Sequence, residues 1–228
     1  MARPLRPPTV MGLDLAGSAR RDTGCCVLAG LREARVSVLH SDEEILTAVF
    51  TSRPALVLID APLSLPRGRA TIEDRTGPHF RECDRELRRL GIRFFPLTLG
   101  PMRMLTERGM RLASTVRARG YRVEEGYPGG SQDLLGIARK QAGAEALQKA
   151  LRRLGLRGDL TRRSLTHDEL DAATLAWVAR RFLEGKAHTI GDPSEGVMVL
   201  PGRRTARKDR AGTIIHTHMN MMSNRRSR

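Results

Sequence analysis

No stretch of this chain approaches the ~18 uninterrupted apolar residues of a membrane helix. The opening residues, Met-Ala-Arg-Pro-Leu-Arg-Pro-Pro, lack the apolar run of a signal peptide. A cytoplasmic protein that does not engage membranes is therefore expected. Cysteine is scarce and odd in number, with only Cys25, Cys26 and Cys83. Their spacing shows no pairs, which excludes a disulfide framework and leaves them as reduced core residues. His79 and Cys83 have no partners at metal-ligand spacing, which argues against zinc. Lysine is nearly absent, four against 36 arginines. No internal repeat is visible. What the chain has in excess is positive charge, formally +15 over 228 residues. Residues 203–228 hold eight Arg or Lys and one Asp, so seven of those charges sit in the tail. A basic body with a more basic tail suits a polyanionic partner.

The stretch Val10-Met-Gly-Leu-Asp-Leu-Ala-Gly-Ser18 organises the rest. Residues 10–15 are apolar on both sides, as a central strand covered on both faces must be. One charge, Asp14, interrupts them, and Ala-Gly-Ser turns the chain away. A carboxylate in so apolar a strand costs several kcal/mol unless a cation or hydrogen-bond donors meet it. Strands over 23–30 and 33–40 complete an antiparallel meander. Ser41 caps a helix over 42–51 that buries Ile45, Leu46, Val49 and Phe50. A fully apolar strand over 55–59 ends in Asp60-Ala-Pro62. An irregular segment broken by Pro62, Pro66, Pro78 and Pro96 follows, with one short helix near 83–90. A helix over 101–119 leads to a fifth strand over 121–127 that carries Glu124 and Glu125 on opposite faces. Helices near 132–141 and 145–154 precede the last long helix. Thr166-His-Asp-Glu169 has the form of a capping box, and Asp171, Leu175, Val178 and Phe182 then repeat along one helical face. Residues 195–201 suit a short terminal strand. The domain division expected is a short extension over 1–8, one domain over 9–202, and a basic disordered tail over 203–228.

Four acids thus stand where an ordinary core avoids them: Asp14, Asp60, Glu125 and Asp171, with Asp168 one turn before the last. Three strands, a helix and a fourth strand is the opening order of the ribonuclease-H-like fold. In that order the acids converge at one end or face of the sheet. Gathered carboxylates repel and cannot all stay ionised without cations. Hard oxygen donors suit Mg²⁺ or Mn²⁺, and two such ions clamp a phosphodiester for attack by water. Asp14, Asp60, Glu125 and Asp171 are the expected metal ligands and Asp168 an auxiliary acid. Ser18, Arg81, Lys140 and His167 are the candidate substrate contacts.

Several motifs also resemble a known family. Met11-Gly-Leu-Asp-Leu-Ala-Gly-Ser, Ile59-Asp-Ala-Pro-Leu-Ser-Leu-Pro66, Glu125-Gly-Tyr-Pro-Gly129 and His167-Asp-Glu-Leu-Asp-Ala172 are similar to the motif set of domain-of-unknown-function family 429. Arg81-Glu-Cys-Asp-Arg-Glu86, Gly91-Ile-Arg93, Leu135-Gly-Ile-Ala-Arg-Lys140 and Gly191-Asp-Pro-Ser-Glu-Gly196 extend the likeness over 10–201. The resemblance implies a predicted nuclease of the ribonuclease-H-like superfamily. Its fold would be a mixed five-stranded α/β sheet, three strands antiparallel and then parallel, flanked by helices. A helical and irregular insertion would separate strands four and five. Asp168-x-x-Asp171 also looks like the helix acids of Holliday-junction resolvases in that superfamily. The partner implied is nucleic acid, DNA or RNA. Two rival readings share some features. An actin-like or sugar-kinase-type ATP-binding protein also opens with an apolar strand, an Asp and a Gly-containing turn. A non-catalytic nucleic-acid-binding relative would keep the fold but has no need of the acids.

Overall fold

The computed structural model describes residues 7–202, and further on the backbone of two short strands. Strands β1 (Val10–Asp14), β2 (Thr23–Ala29) and β3 (Glu33–Leu39) form the expected antiparallel meander. Helix α1 (Asp42–Ser52) follows, closed at its start by a capping box between Ser41 and Glu44. Strand β4 (Leu56–Ile59) then pairs parallel to β1, with Leu13 opposite Ile59. Beyond the insertion, β5 (Val123–Gly126) adds parallel to β4. These five lie in the order β3-β2-β1-β4-β5.

The sheet nevertheless has eight strands among the described residues, not five. A two-residue strand, β6 (Arg157–Gly158), extends one edge beside β3. At the other edge β8 (Gly196–Pro201) pairs parallel to β5, and β7 (Ala187–Asp192) closes the sheet antiparallel to β8. Residues 195–201 read as a strand from their apolar run. Its partner β7, Ala-His-Thr-Ile-Gly-Asp, buries only Ile190 and has no alternation to betray it, as an edge strand exposed to solvent allows.

Helices cover both faces. One face carries α1 and α3 (Gly100–Ala118), which with Met11, Leu13, Val57 and Ile59 build one core layer. Between β4 and α3, helix α2 (Glu82–Arg89) and the loops around it pack on β7 and β8 through Cys83, Leu87, Ile190 and Met198. The other face belongs to α7 (His167–Leu183), flanked by α4 (Pro128–Leu135) and α5 (Ala144–Arg153). A four-residue helix, α6 (Asp159–Arg162), links β6 to the approach of α7. The sequence pattern gives α7 a single buried stripe, but every residue from Glu169 to Arg180 is buried. The reason lies in its neighbours: the sheet beneath and helices beside it leave no wet face. Helix α4 begins at Pro128, earlier than the expected 132, because Pro suits the first helical turn and the following glycines fit under the Tyr127 ring.

α7 presses on the sheet at glycine positions. A Cβ at Gly12 would run into the backbone of Ala172 and Ala176, and one at Gly24 into the carbonyl of Asp168. These two glycines set how closely the start of α7 approaches β1 and β2. The expected extension and tail fall mainly outside the described residues; within the latter, β9 (Arg204–Lys208) and β10 (Ile214–His218) pair antiparallel.

Candidate active site

Asp14 ends β1 and Asp60 directly follows β4, so the two acids stand side by side at the carboxyl ends of adjacent parallel strands. The Asp60 amide donates to the Leu13 carbonyl at 2.8 Å and fixes that juxtaposition. Asp14 lies opposite Gly24 in the β1–β2 ladder, so both residues point to one face. Since Gly24 abuts Asp168, Asp14 faces the first turn of α7. Asp168 is half-buried there, and Asp171, one turn on, is buried. Asp171 accepts a hydrogen bond from the Gln132 amide at 2.7 Å, which orients its carboxylate. Three elements thus bring Asp14, Asp60, Asp168 and Asp171 to one end of the sheet.

Glu125 comes to the same end from the other face. Its neighbour Gly126 faces Leu175 of α7, and successive strand residues alternate, so Glu125 points away from α7 with Ile59 and Val123. There it meets Arg81. The guanidinium donates to both Glu125 oxygens at 2.5 and 2.8 Å and to both Asp84 oxygens at 3.1 and 2.9 Å. The Leu63 amide adds a further bond to Glu125 at 2.9 Å. Arg81 is 2% exposed and Glu125 4%, so this is a desolvated cluster of one cation and two carboxylates. Burial pushes the Glu125 carboxyl above its ordinary 4.5, with Arg81 pulling the other way. Burial opposes the Arg81 charge too, but the two carboxylates outweigh it and hold the guanidinium charged. The expectation from sequence placed Glu125 on a metal and Arg81 on a substrate phosphate. In the structure they are each other's partners.

A pocket of about 320 Å³ joins the two faces at the sheet end. Asp60, Arg81, Asp84, Glu125, Gln132 and Asp171 line it, with Arg139 and Gln141. Asp84, Gln132, Arg139 and Gln141 are polar lining residues that the sequence does not mark as site residues. The Arg81-x-x-Asp84 spacing carried a signal, because Asp84 accepts from the Arg81 amide and closes the start of α2. Gln132 carried none.

The other candidates lie apart. Ser18 sits in the turn after β1, where its carbonyl accepts from the Arg21 amide. His167 opens α7 beside Asp168, and its Nδ1 is buried with no hydrogen-bond partner among the described residues. Lys140 starts a 3-10 turn over Lys140–Ala142, and its side chain lies outside the described residues. Among the described residues no group of three or more His, Cys, Asp or Glu side chains stands arranged to hold a metal ion. No helix of the described residues is long and apolar enough to cross a membrane.

No curated protein matches the chain. A solved structure described as Thermus thermophilus RuvC aligns with 78% of this chain and 96% of its own length, at 15% identity and a TM-score of 0.43. The family model described as "Protein of unknown function (DUF429)" matches residues 12–196, most of the chain and every motif acid from Asp14 to Asp171, and the chain belongs to that family.

Proposed function

We propose that this protein is a metal-dependent nuclease of the ribonuclease-H-like type that hydrolyses phosphodiester bonds. The observation that carries the reading is that Asp14, Asp60 and the first turn of α7 all lie at the carboxyl end of the central parallel strands. The strand order β3-β2-β1-β4-β5, with β2 antiparallel to both neighbours, is the ribonuclease-H-like order and supports it. The donor set fits Mg²⁺ or Mn²⁺, since it consists of hard carboxylate oxygens with no thiolate among them. Asp14, Asp60 and Asp171 would hold the metal, and their oxygens must draw together to do so. Such ions, when bound, make water a better nucleophile at neutral pH and stabilise the attacking and leaving oxygens.

The chain's own residues do the rest. Gln132 holds the Asp171 carboxylate toward the pocket. Asp168, in the first turn of α7, would serve as an auxiliary acid, and His167 beside it as a proton carrier. Glu125 joins the ligands only by exchanging Arg81 for a cation; otherwise the pair shapes the pocket wall. The net charge of +15 draws a polyanion to the molecule as a whole.

The test combines a melting curve with a cleavage panel. Millimolar Mn²⁺ should raise the melting temperature of the wild type and raise it less for Asp14→Asn. With Mn²⁺ present, single-stranded, duplex and branched DNA and RNA are offered, with ATP hydrolysis assayed in parallel. Asp14→Asn or Asp171→Asn should abolish cleavage and leave binding largely in place, whereas Asp168→Asn should cost less. Cleavage that survives Asp14→Asn and Asp171→Asn together would sink the mechanism. Metal-dependent ATP turnover without strand cleavage would move the protein to the ATP-binding class.

A further inference from the structure

Aromatic residues are rare in this chain, eight in all. Four of them, Phe80, Phe94, Phe95 and Tyr127, line one groove. The others are accounted for elsewhere: Phe50 and Tyr121 pack on each other, Trp177 is buried, and Phe182 lies under Arg122. The groove is contiguous with the acid pocket, for Phe94, Phe95, Tyr127 and Arg139 line both. Phe95 is 70% exposed, the most exposed large apolar residue described. The floor beneath it is firm. Phe80 and Phe94 meet edge to face at 6.1 Å, the Tyr127 hydroxyl donates to the Arg93 carbonyl at 2.6 Å, and Ile92 is buried in the small core below. The charged side chains along the groove are Arg88, Arg93 and Arg139, with no acid among its lining residues. Arg88 already lies over the Phe80 ring at 4.5 Å.

Flat apolar faces rimmed by guanidinium groups fit a nucleobase with its backbone phosphates. A ring can stack on such a face only if the base has left its duplex neighbours. We propose that this groove receives an unpaired base of the strand whose phosphodiester enters the acid pocket, so that the substrate is single-stranded nucleic acid. The substrate assignment rests on the nuclease reading above; the base-stacking site itself does not.

The full chain is mixed, in EDTA so that nothing is cleaved, with single-stranded and duplex oligonucleotides of one sequence carrying 2-aminopurine. The single strand should bind more tightly, and 2-aminopurine fluorescence should be quenched on binding. Phe95→Ala should weaken single-strand affinity by about tenfold, abolish the quenching and leave the salt dependence unchanged, since no charge is lost. Phe95→Trp should restore both. The exposure of Phe95 makes either variant harmless to the fold, which a melting curve checks. Equal affinity for duplex and single strand, or indifference to Phe95→Ala, would overturn the proposal. So would a shift of Phe95→Ala from dimer to monomer in sedimentation, which would give the groove to a second copy of the chain. Stacking without metal-dependent cleavage would remove the nuclease reading and keep the groove. Cleavage of duplex that is indifferent to Phe95→Ala would do the reverse.

Discussion

Single residues at this sheet end do unequal work, and Arg81 holds the most. Its side chain engages Glu125 and Asp84 inside the protein, and the Ser64 hydroxyl at 3.4 Å. Replacing a buried ion cluster wholesale can be neutral, but removing one member leaves the others charged and desolvated. Arg81→Met should therefore cost about 3–5 kcal/mol in urea unfolding. Glu125→Gln should cost less, because Asp84 still meets the guanidinium. Equal and small losses for the two variants would show that the cluster contributes nothing to stability. The thiols are quieter. Burial pushes Cys25 up to about 11 against a hydrogen bond from Ser37, and raises Cys83 as well, so both stay protonated core residues.

At the scale of elements, α7 carries the site, and its first turn decides where Asp168 and Asp171 fall. Thr166 caps that turn, and the Glu169 carboxylate accepts from the Thr166 amide at 2.9 Å and from Arg163 at 2.6 Å. Burial pushes the Glu169 carboxyl up, but Arg163 and the Thr166 bonds outweigh it and hold it below its ordinary 4.5. A carboxyl depressed by folding stabilises the native state above its unfolded pKa. That contribution is lost as pH falls through the lower folded value. Glu169→Gln should accordingly melt well below the wild type at pH 7. The gap should narrow as pH drops below about 4.5. A gap constant from pH 7 to pH 3 would show that the charge of Glu169 does not steady the turn.

The whole molecule is a polycation with its proposed site at one end of the sheet. The positive charge is divided between the body, at +8, and residues 203–228, at +7. Each cation that meets a phosphate releases a counterion, so affinity should fall as salt rises. Removing 203–228 should weaken nucleic-acid binding and flatten the plot of log affinity against log salt. Matching slopes for the full and shortened chains would show that the tail meets no phosphate. The insertion between β4 and β5 is also held at this scale. Arg67 bonds Asp192 at 2.7 Å, and the Glu82 amide bonds Glu195 at 2.6 Å, which ties the aromatic groove and α2 to the β7–β8 hairpin.

The central strands, α1, α2, α3, α5 and α7, the Ser41 cap and the Thr166–Glu169 capping box were legible in the sequence, because each is written in local terms. An apolar run, a period of two or 3.6, and a Ser or Thr three residues before Glu suffice. The sequence also marked Asp14, Asp60 and Asp171, since an acid within or at the edge of an apolar pattern is visible without any partner. Only the tertiary structure decided what those acids face. Arg81 and Glu125 are 44 residues apart, and no periodicity links them. The β7 edge and the burial of α7 on every side arise from neighbours distant in the chain. A residue's pattern records that it must be buried, whereas the topology chooses which side chains bury it and which charge answers its own.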